Sequence, residues 1–331
     1  MAVIEVSQLR KAYRGRGVLD GVDLTVGEGE IFGLLGANGA GKTTTVECCE
    51  GLRRADSGTV RVLGLDPVRQ AHELRARIGV QLQETRLQDA LRVGEALELY
   101  ASFYPRPRDP ADLATQWGLG GLRRTAFGKL SGGQRQRLFI ALALVGNPQV
   151  AFLDELTTGL DPKARRETWE LVREVRDSGV TVLLVSHFMD EVEALCDRAA
   201  VLDGGRIVAS GTPRELIARA GVAGTLGFRP TAPLDLAELG RLPGVTGVTE
   251  RDGRVEVTGT GGYADEVTRL LAGRGIVVTG LRIHERSLED AFVTLTGRPD
   301  RAEQPDRAAR TSRTDRPAVA DPDRTAARRT R

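Results

Sequence analysis

Aromatic side chains make up only 4% of the 331 residues, there are three cysteines and three histidines, and only Lys11, Lys42, Lys129 and Lys163 are lysines. The cysteines, the charge balance and the lack of long apolar runs each remove a class of function. Cys48, Cys49 and Cys196 are an odd set, two of them adjacent, without the spacing of metal ligands or of a disulfide framework. They read as small apolar core residues in a reducing compartment. Positive and negative side chains nearly cancel at a formal +2, so no strong field draws the chain to nucleic acid. No apolar run approaches the ~20 residues that span a bilayer, and the chain does not open on a basic stretch followed by a long apolar core. The expectation is a cytoplasmic protein that acts at a membrane only through a partner.

What the chain does have begins with Gly36-Ala37-Asn38-Gly39-Ala40-Gly41-Lys42-Thr43-Thr44, which follows the apolar run 31–35. The spacing G-x-x-x-x-G-K-T lets glycines adopt angles barred to other residues, so that successive N–H groups converge on one anion at a helix N-terminus. In such a loop Lys42 reaches the β- and γ-phosphates and the Thr43 hydroxyl holds Mg²⁺. A second anion site follows at Leu130-Ser131-Gly132-Gly133-Gln134, where Ser131 caps a helix running through Leu144. One triphosphate rarely needs two such sites in one chain.

The apolar run 150–153 ends in Asp154 and Glu155. Paired carboxylates at the end of a buried strand are costly unless a metal or a reaction uses them. Asp154 is placed to hold Mg²⁺ through its water shell, and Glu155 to deprotonate an attacking water. Another buried strand, 181–185, ends at Ser186-His187, beyond a strand's carboxyl end where ligands gather in α/β sheets. Tyr13, near the first strands, either offers its ring to an adenine base or closes a turn. Gln83 ends the short apolar strand after Arg75.

Residues 87–143 switch to helical spacing, interrupted by Pro105, Pro107 and Pro110 before a segment at 113–117. The pattern divides the chain into a first domain over 1–217, a small α+β domain over 218–298 and a tail over 299–331. The second domain shows a hairpin turning at Asp252-Gly253, a helix over 264–272, a strand over 276–283 and a last helix over 287–295 opened by Ser287 and Asp290. It carries no cluster of catalytic residues, so regulation, dimer support or a passive appendage are its candidate roles. The tail sets nine arginines against six acids and has no apolar stripe, which implies disorder.

In order and spacing, the phosphate loop, Gln83, Leu130 to Gln134, Asp154-Glu155, Asp161 and His187 resemble an ABC-transporter ATP-binding subunit over about residues 3 to 217. Within that class the chain is similar to the daunorubicin-resistance type of exporter ATPase, whose extra C-terminal module often ends in a motif like Leu288-Glu289-Asp290-Ala291-Phe292. The resemblance implies a P-loop α/β cassette with a mixed-sheet core, an antiparallel β subdomain and an α-helical subdomain. It implies ATP and Mg²⁺ as cofactors, a homodimer of ATPase subunits, and a separate integral-membrane permease with the cassette on its cytoplasmic side.

The resemblance also implies roles. Tyr13 stacks on adenine, Gln83 touches Mg²⁺ and water and senses the permease, and Ser131 to Gln134 grip the γ-phosphate bound to the opposite subunit. Asp161 couples the two sites, and His187 holds the γ-phosphate and water in line with Glu155. Two positions depart from the pattern: Ala37 and Leu156 stand where the family usually has proline. Altered loop stiffness, with the chemistry kept, is the expectation there. The rival readings are a soluble ABC-type ATPase acting on ribosomes or DNA and a polysaccharide or lipid exporter's ATPase.

Overall fold

The computed structural model describes residues 1–81, 87–221, 223–284 and 286–297. Gln83 and the whole of 299–331 lie outside them, so the disorder expected of the tail does too.

The chain opens with β1 (Ala2–Tyr13) and β2 (Arg16–Gly27), then β3 (Ile31–Leu35), α1 (Lys42–Cys49), β4 (Ser57–Val62), α2 (Ala71–Arg75) and β5 (Ile78–Gln81). β2, β1 and β4 form an antiparallel sheet, with Val6 opposite Leu24 on one side and Val60 on the other. A helical segment follows: α3 (Val93–Ala101), α4 (Pro110–Gln116) and α5 (Gly132–Leu144). Pro110 opens α4 at its first turn instead of merely breaking a helix, because Asp109 before it accepts from the N–H groups of Ala111 and Asp112.

β6 (Val150–Asp154), α6 (Pro162–Asp177), β7 (Thr181–Ser186), α7 (Met189–Leu195), β8 (Arg198–Asp203) and β9 (Arg206–Gly211) complete a six-stranded sheet of order β5-β6-β7-β3-β8-β9, antiparallel only at β9. Alternation along its central strands builds two cores. Ile31, Leu35, Ala151, Leu153, Val182 and Leu184 face the layer of α5, α6 and α7 and the helical segment. Phe32, Leu34, Phe152, Leu183 and Val185 face α1 and the apolar side of the small sheet, where Ile4, Val6, Leu9 and Leu24 are buried. A strand buried on both faces must be apolar at every position, which is why 31–35 carries no polar side chain. All three cysteines are free and buried within these cores, and burial raises each thiol's pKa, that of Cys48 to about 11.

After α8 (Pro213–Arg219) come β10 (Gly224–Pro230), α9 (Leu236–Gly240), β11 (Val245–Arg251), β12 (Arg254–Gly259), α10 (Tyr263–Gly273) and β13 (Val278–His284), whose four strands form a third sheet ordered β11-β12-β10-β13. Asp252 and Gly253 turn the β11–β12 hairpin with φ of 52° and 69°, the two left-handed angles that suit the twist of the strands. Its own core joins Leu226, Phe228, Val255 and Val257 to Leu239, Val267 and Leu271. The last helix, α11 (Leu288–Thr296), leaves this sheet: Leu288, Ala291 and Phe292 are buried in the core shared with α7 and α8.

Candidate functional site

Parallel strands end together, and the sequence places its polar punctuation at those ends. Leu35 lies beside Ser186 in the β3–β7 pairing, Asp154 beside Val185 in the β6–β7 pairing, and Gln81 beside Leu153 in the β5–β6 pairing. The phosphate loop, Asp154-Glu155 and Ser186-His187 therefore share the carboxyl edge of three adjacent strands, where α/β sheets bind ligands.

The loop between β3 and α1 needs its glycines. A Cβ on Gly36 would stand 2.5 Å from the Leu202 carbonyl oxygen, and one on Gly41, at φ 108°, 2.6 Å from Leu19 Cδ2. Gly39, at φ 80°, meets nothing within 4 Å and is exposed with Asn38, while Ala40 is buried. No side chain caps α1, and the start of a helix is where backbone N–H groups and the helix dipole favour an anion. The Lys42 ammonium donates to the carbonyls of Gly36 (2.6 Å) and Ala37 (3.2 Å). Thr43 is exposed in that first turn and Thr44 is half-buried.

Asp154 has its carboxyl pushed up to about 6, by burial first and by neighbouring Glu155 second, with Lys42 opposing. A divalent cation would relieve both penalties. The available oxygen donors, the Asp154 carboxylate and the Thr43 hydroxyl, are the sparse set Mg²⁺ takes when phosphates and water complete its shell. Glu155 is held at φ 48°, an angle rare outside glycine, while its N–H donates to Val185 at 2.9 Å. Its Oε1 lies 3.4 Å from His187 Nδ1, both side chains being partly open to solvent.

The remaining predicted residues lie elsewhere or touch other groups. Ser131 caps α5, accepting from Gln134 N–H at 3.3 Å while its own N–H donates to Gln134 Oε1 at 2.9 Å, and Ser131 and Gly132 are exposed. A Cβ on Gly133 would meet Leu160 and Ala164, so this helix start lies against the start of α6. Asp161 caps α6 by accepting from Lys163 and Ala164 N–H groups, which hold its carboxyl below the usual range. The half-buried Tyr13 ring has Arg53 Cζ at 5.2 Å and Lys11 Nζ at 5.5 Å. Leu156, in the family's usual proline position, is fully buried in the core.

Three buried polar side chains were missed by motif reading. Gln81 donates to the Asp154 carbonyl at 3.3 Å. Glu50, at the end of α1, is 5% exposed and lines a cavity of about 300 Å³ with Gln81, Tyr100, Tyr104 and Phe139. Glu191 is fully buried on α7. The available signal was an acid inside an apolar pattern, at Cys48-Cys49-Glu50 and at Met189-Asp190-Glu191-Val192.

Comparison with known proteins agrees with this geometry. The profile of the ABC transporter family matches residues 19–158. The chain is 38% identical over 309 residues to the daunorubicin/doxorubicin resistance ATP-binding protein DrrA of Streptomyces peucetius, covering 89% of this chain and 93% of that one. This chain belongs to the ABC-transporter ATP-binding family. It is also 37% identical to the Nod factor export ATP-binding protein I of Burkholderia thailandensis, over 90% of this chain and 98% of that one. A solved dimeric ATP-binding cassette in a post-hydrolysis state with ADP and Pi aligns at a TM-score of 0.57 and 25% identity, covering 63% of this chain and 98% of that one. The chain is therefore an ABC-type ATPase with the cassette fold, of the class that serves exporters. Among the described residues no helix is long and apolar enough to cross a membrane.

Proposed function

We propose that this chain hydrolyses MgATP as one of two identical subunits on the cytoplasmic face of a separate integral-membrane permease, and that the pair powers export of drug-type compounds. Its relatives named for daunorubicin/doxorubicin resistance and Nod factor export, matched along nearly their whole length, support the export direction. The observation that carries the reading is the gathering of the phosphate loop, Asp154, Glu155 and His187 at one strand edge, with the Ser131 helix start exposed on α5.

In this reading the N–H groups of 36–44 and the Lys42 ammonium bind the β- and γ-phosphates, and Thr43, Asp154 and Gln83 hold Mg²⁺. The bound ion supplies charge neutralisation at the phosphates. Glu155 takes the proton of the attacking water, and His187, 3.4 Å from Glu155, keeps that carboxylate and the γ-phosphate in line. Ser131, Gly132, Gly133 and Gln134 close over the nucleotide of the other copy, which accounts for two anion sites in one chain. The dimeric architecture of the solved cassette supports this pairing. Asp161, capping α6 near that helix start, couples the two sites. Tyr13 turns from Arg53 to stack on adenine. Residues 218–298 act as an accessory module.

Glu155→Gln tests the base. Nucleotide binding should persist while turnover falls about 10²-fold or more. Unchanged turnover in the purified variant contradicts the assignment.

A further inference from the structure

Glu191 has no place in the chemistry above, yet it is completely buried, as are Thr157 and Ser186 beside it. A carboxylate in such a position is retained only when donors surround it. Three do. Thr157 Oγ1 donates to Glu191 Oε1 at 2.8 Å, Trp169 Nε1 to the same oxygen at 3.3 Å, and Ser186 Oγ to Oε2 at 2.5 Å. Burial raises the carboxyl's pKa, and these three hydrogen bonds oppose the rise.

The donors come from three different elements. Thr157 stands two residues after Glu155, Trp169 lies on α6, and Ser186 ends β7 next to His187. The same Ser186 oxygen accepts the Phe188 N–H at 3.0 Å, so one hydroxyl fixes the backbone on both sides of His187. Thr158, following Thr157, points its hydroxyl to Glu155 Oε2 at 3.5 Å. Beside this, Asp190 pairs with Arg165 of α6 at 2.8 Å, a second tie between α6 and α7. The loop carrying Glu155 and the turn carrying His187 thus hang from one buried carboxylate.

We infer that Glu191 is a positioning residue for hydrolysis: through Thr157 and Ser186 it sets the approach of Glu155 to His187. The inference rests on the roles proposed for Glu155 and His187. Ionised, Glu191 accepts from all three donors at once. A glutamine of the same size turns an NH₂ toward one of them, and the network loses that bond without a cavity forming.

The test is steady-state ATPase kinetics of the full-length chain, with binding of a fluorescent ATP analogue measured beside it. Glu191→Gln should lower kcat about 10-fold or more while KM and analogue affinity stay within about twofold, since misplaced reacting groups slow the chemical step without weakening substrate binding. Thr157→Val should reproduce the loss and Thr157→Ser, which keeps the hydroxyl, should restore most of the rate. This pair carries the test should Glu191→Gln not fold. If Glu191→Gln and Thr157→Val turn over normally while Glu155→Gln and His187→Ala are inactive, the inference is overturned and the catalytic reading stands. If Glu155→Gln is active, it is the catalytic reading that fails. A loss shared by Thr157→Ser, or one in which KM rises as kcat falls, assigns Glu191 to general stability and also overturns the inference.

Discussion

At the scale of single residues, Glu50 is an acid that its surroundings hold against its ordinary ionisation, and no motif marks it. Gly36, Gly41, Lys42, Thr43, Asp154 and Glu155 declare themselves because a phosphate loop and an acid pair need adjacent residues. Glu50, Gln81 and Glu191 were not readable in that way, because their partners lie on other elements. Glu50 makes a prediction of its own. Burial first, then Glu47 and Asp154, push its carboxyl up from 4.5 to about 8. Between those values the folded chain keeps a proton that the unfolded chain has released, so this group lowers folding stability progressively as pH rises from 4.5 toward 8. Asp154 acts with the same sign between 3.8 and about 6. Glu50→Gln removes the first penalty. Thermal melts should show its midpoint above that of the parent chain by about 3 °C or more near pH ~8.5, with the gap closing toward pH ~4.5. A gap that is constant with pH contradicts the assignment.

Among the elements, strands and helices with uninterrupted periodicity were legible and interrupted ones were not. β1 runs to Tyr13, but Gln8 takes a φ of 49° and the pairing with β2 shifts register between Val6 and Leu9. A bulge of that kind breaks the period of two, so the alternation of buried Ile4 and Val6 with exposed Glu5 and Ser7 lapses although the strand continues. α11 shows the other limit. Its capping box, Ser287 with Asp290, and its apolar face are visible in the sequence, but periodicity states only that a face is buried and not against what. In the fold that face joins the core of α7 and α8. Phe292, 2% exposed there, is expected to stabilise the chain by about 3 kcal/mol relative to alanine, the scale of a large core truncation. Urea denaturation of full-length Phe292→Ala measures it, and a loss below about 1 kcal/mol contradicts the packing role.

For the whole molecule, the six-stranded sheet sets the loop, the acids and His187 on one edge, the Ser131 helix start is exposed on α5, and in the proposed pair that helix start serves the other copy. Sequence alone raised this as a puzzle of two anion sites, and the arrangement supports its solution by pairing. The most direct measurement is complementation. In the proposed pair, Glu155→Gln is expected to disable a chain's own hydrolytic centre, and Ser131→Arg what that chain would lend to its partner. Each variant alone should be nearly inactive. Mixed and allowed to exchange subunits, they generate heterodimers with one intact site of two, and ATPase activity should return to at most roughly a quarter of the parent rate. A mixture no more active than its components contradicts the claim that each catalytic site is built from two copies.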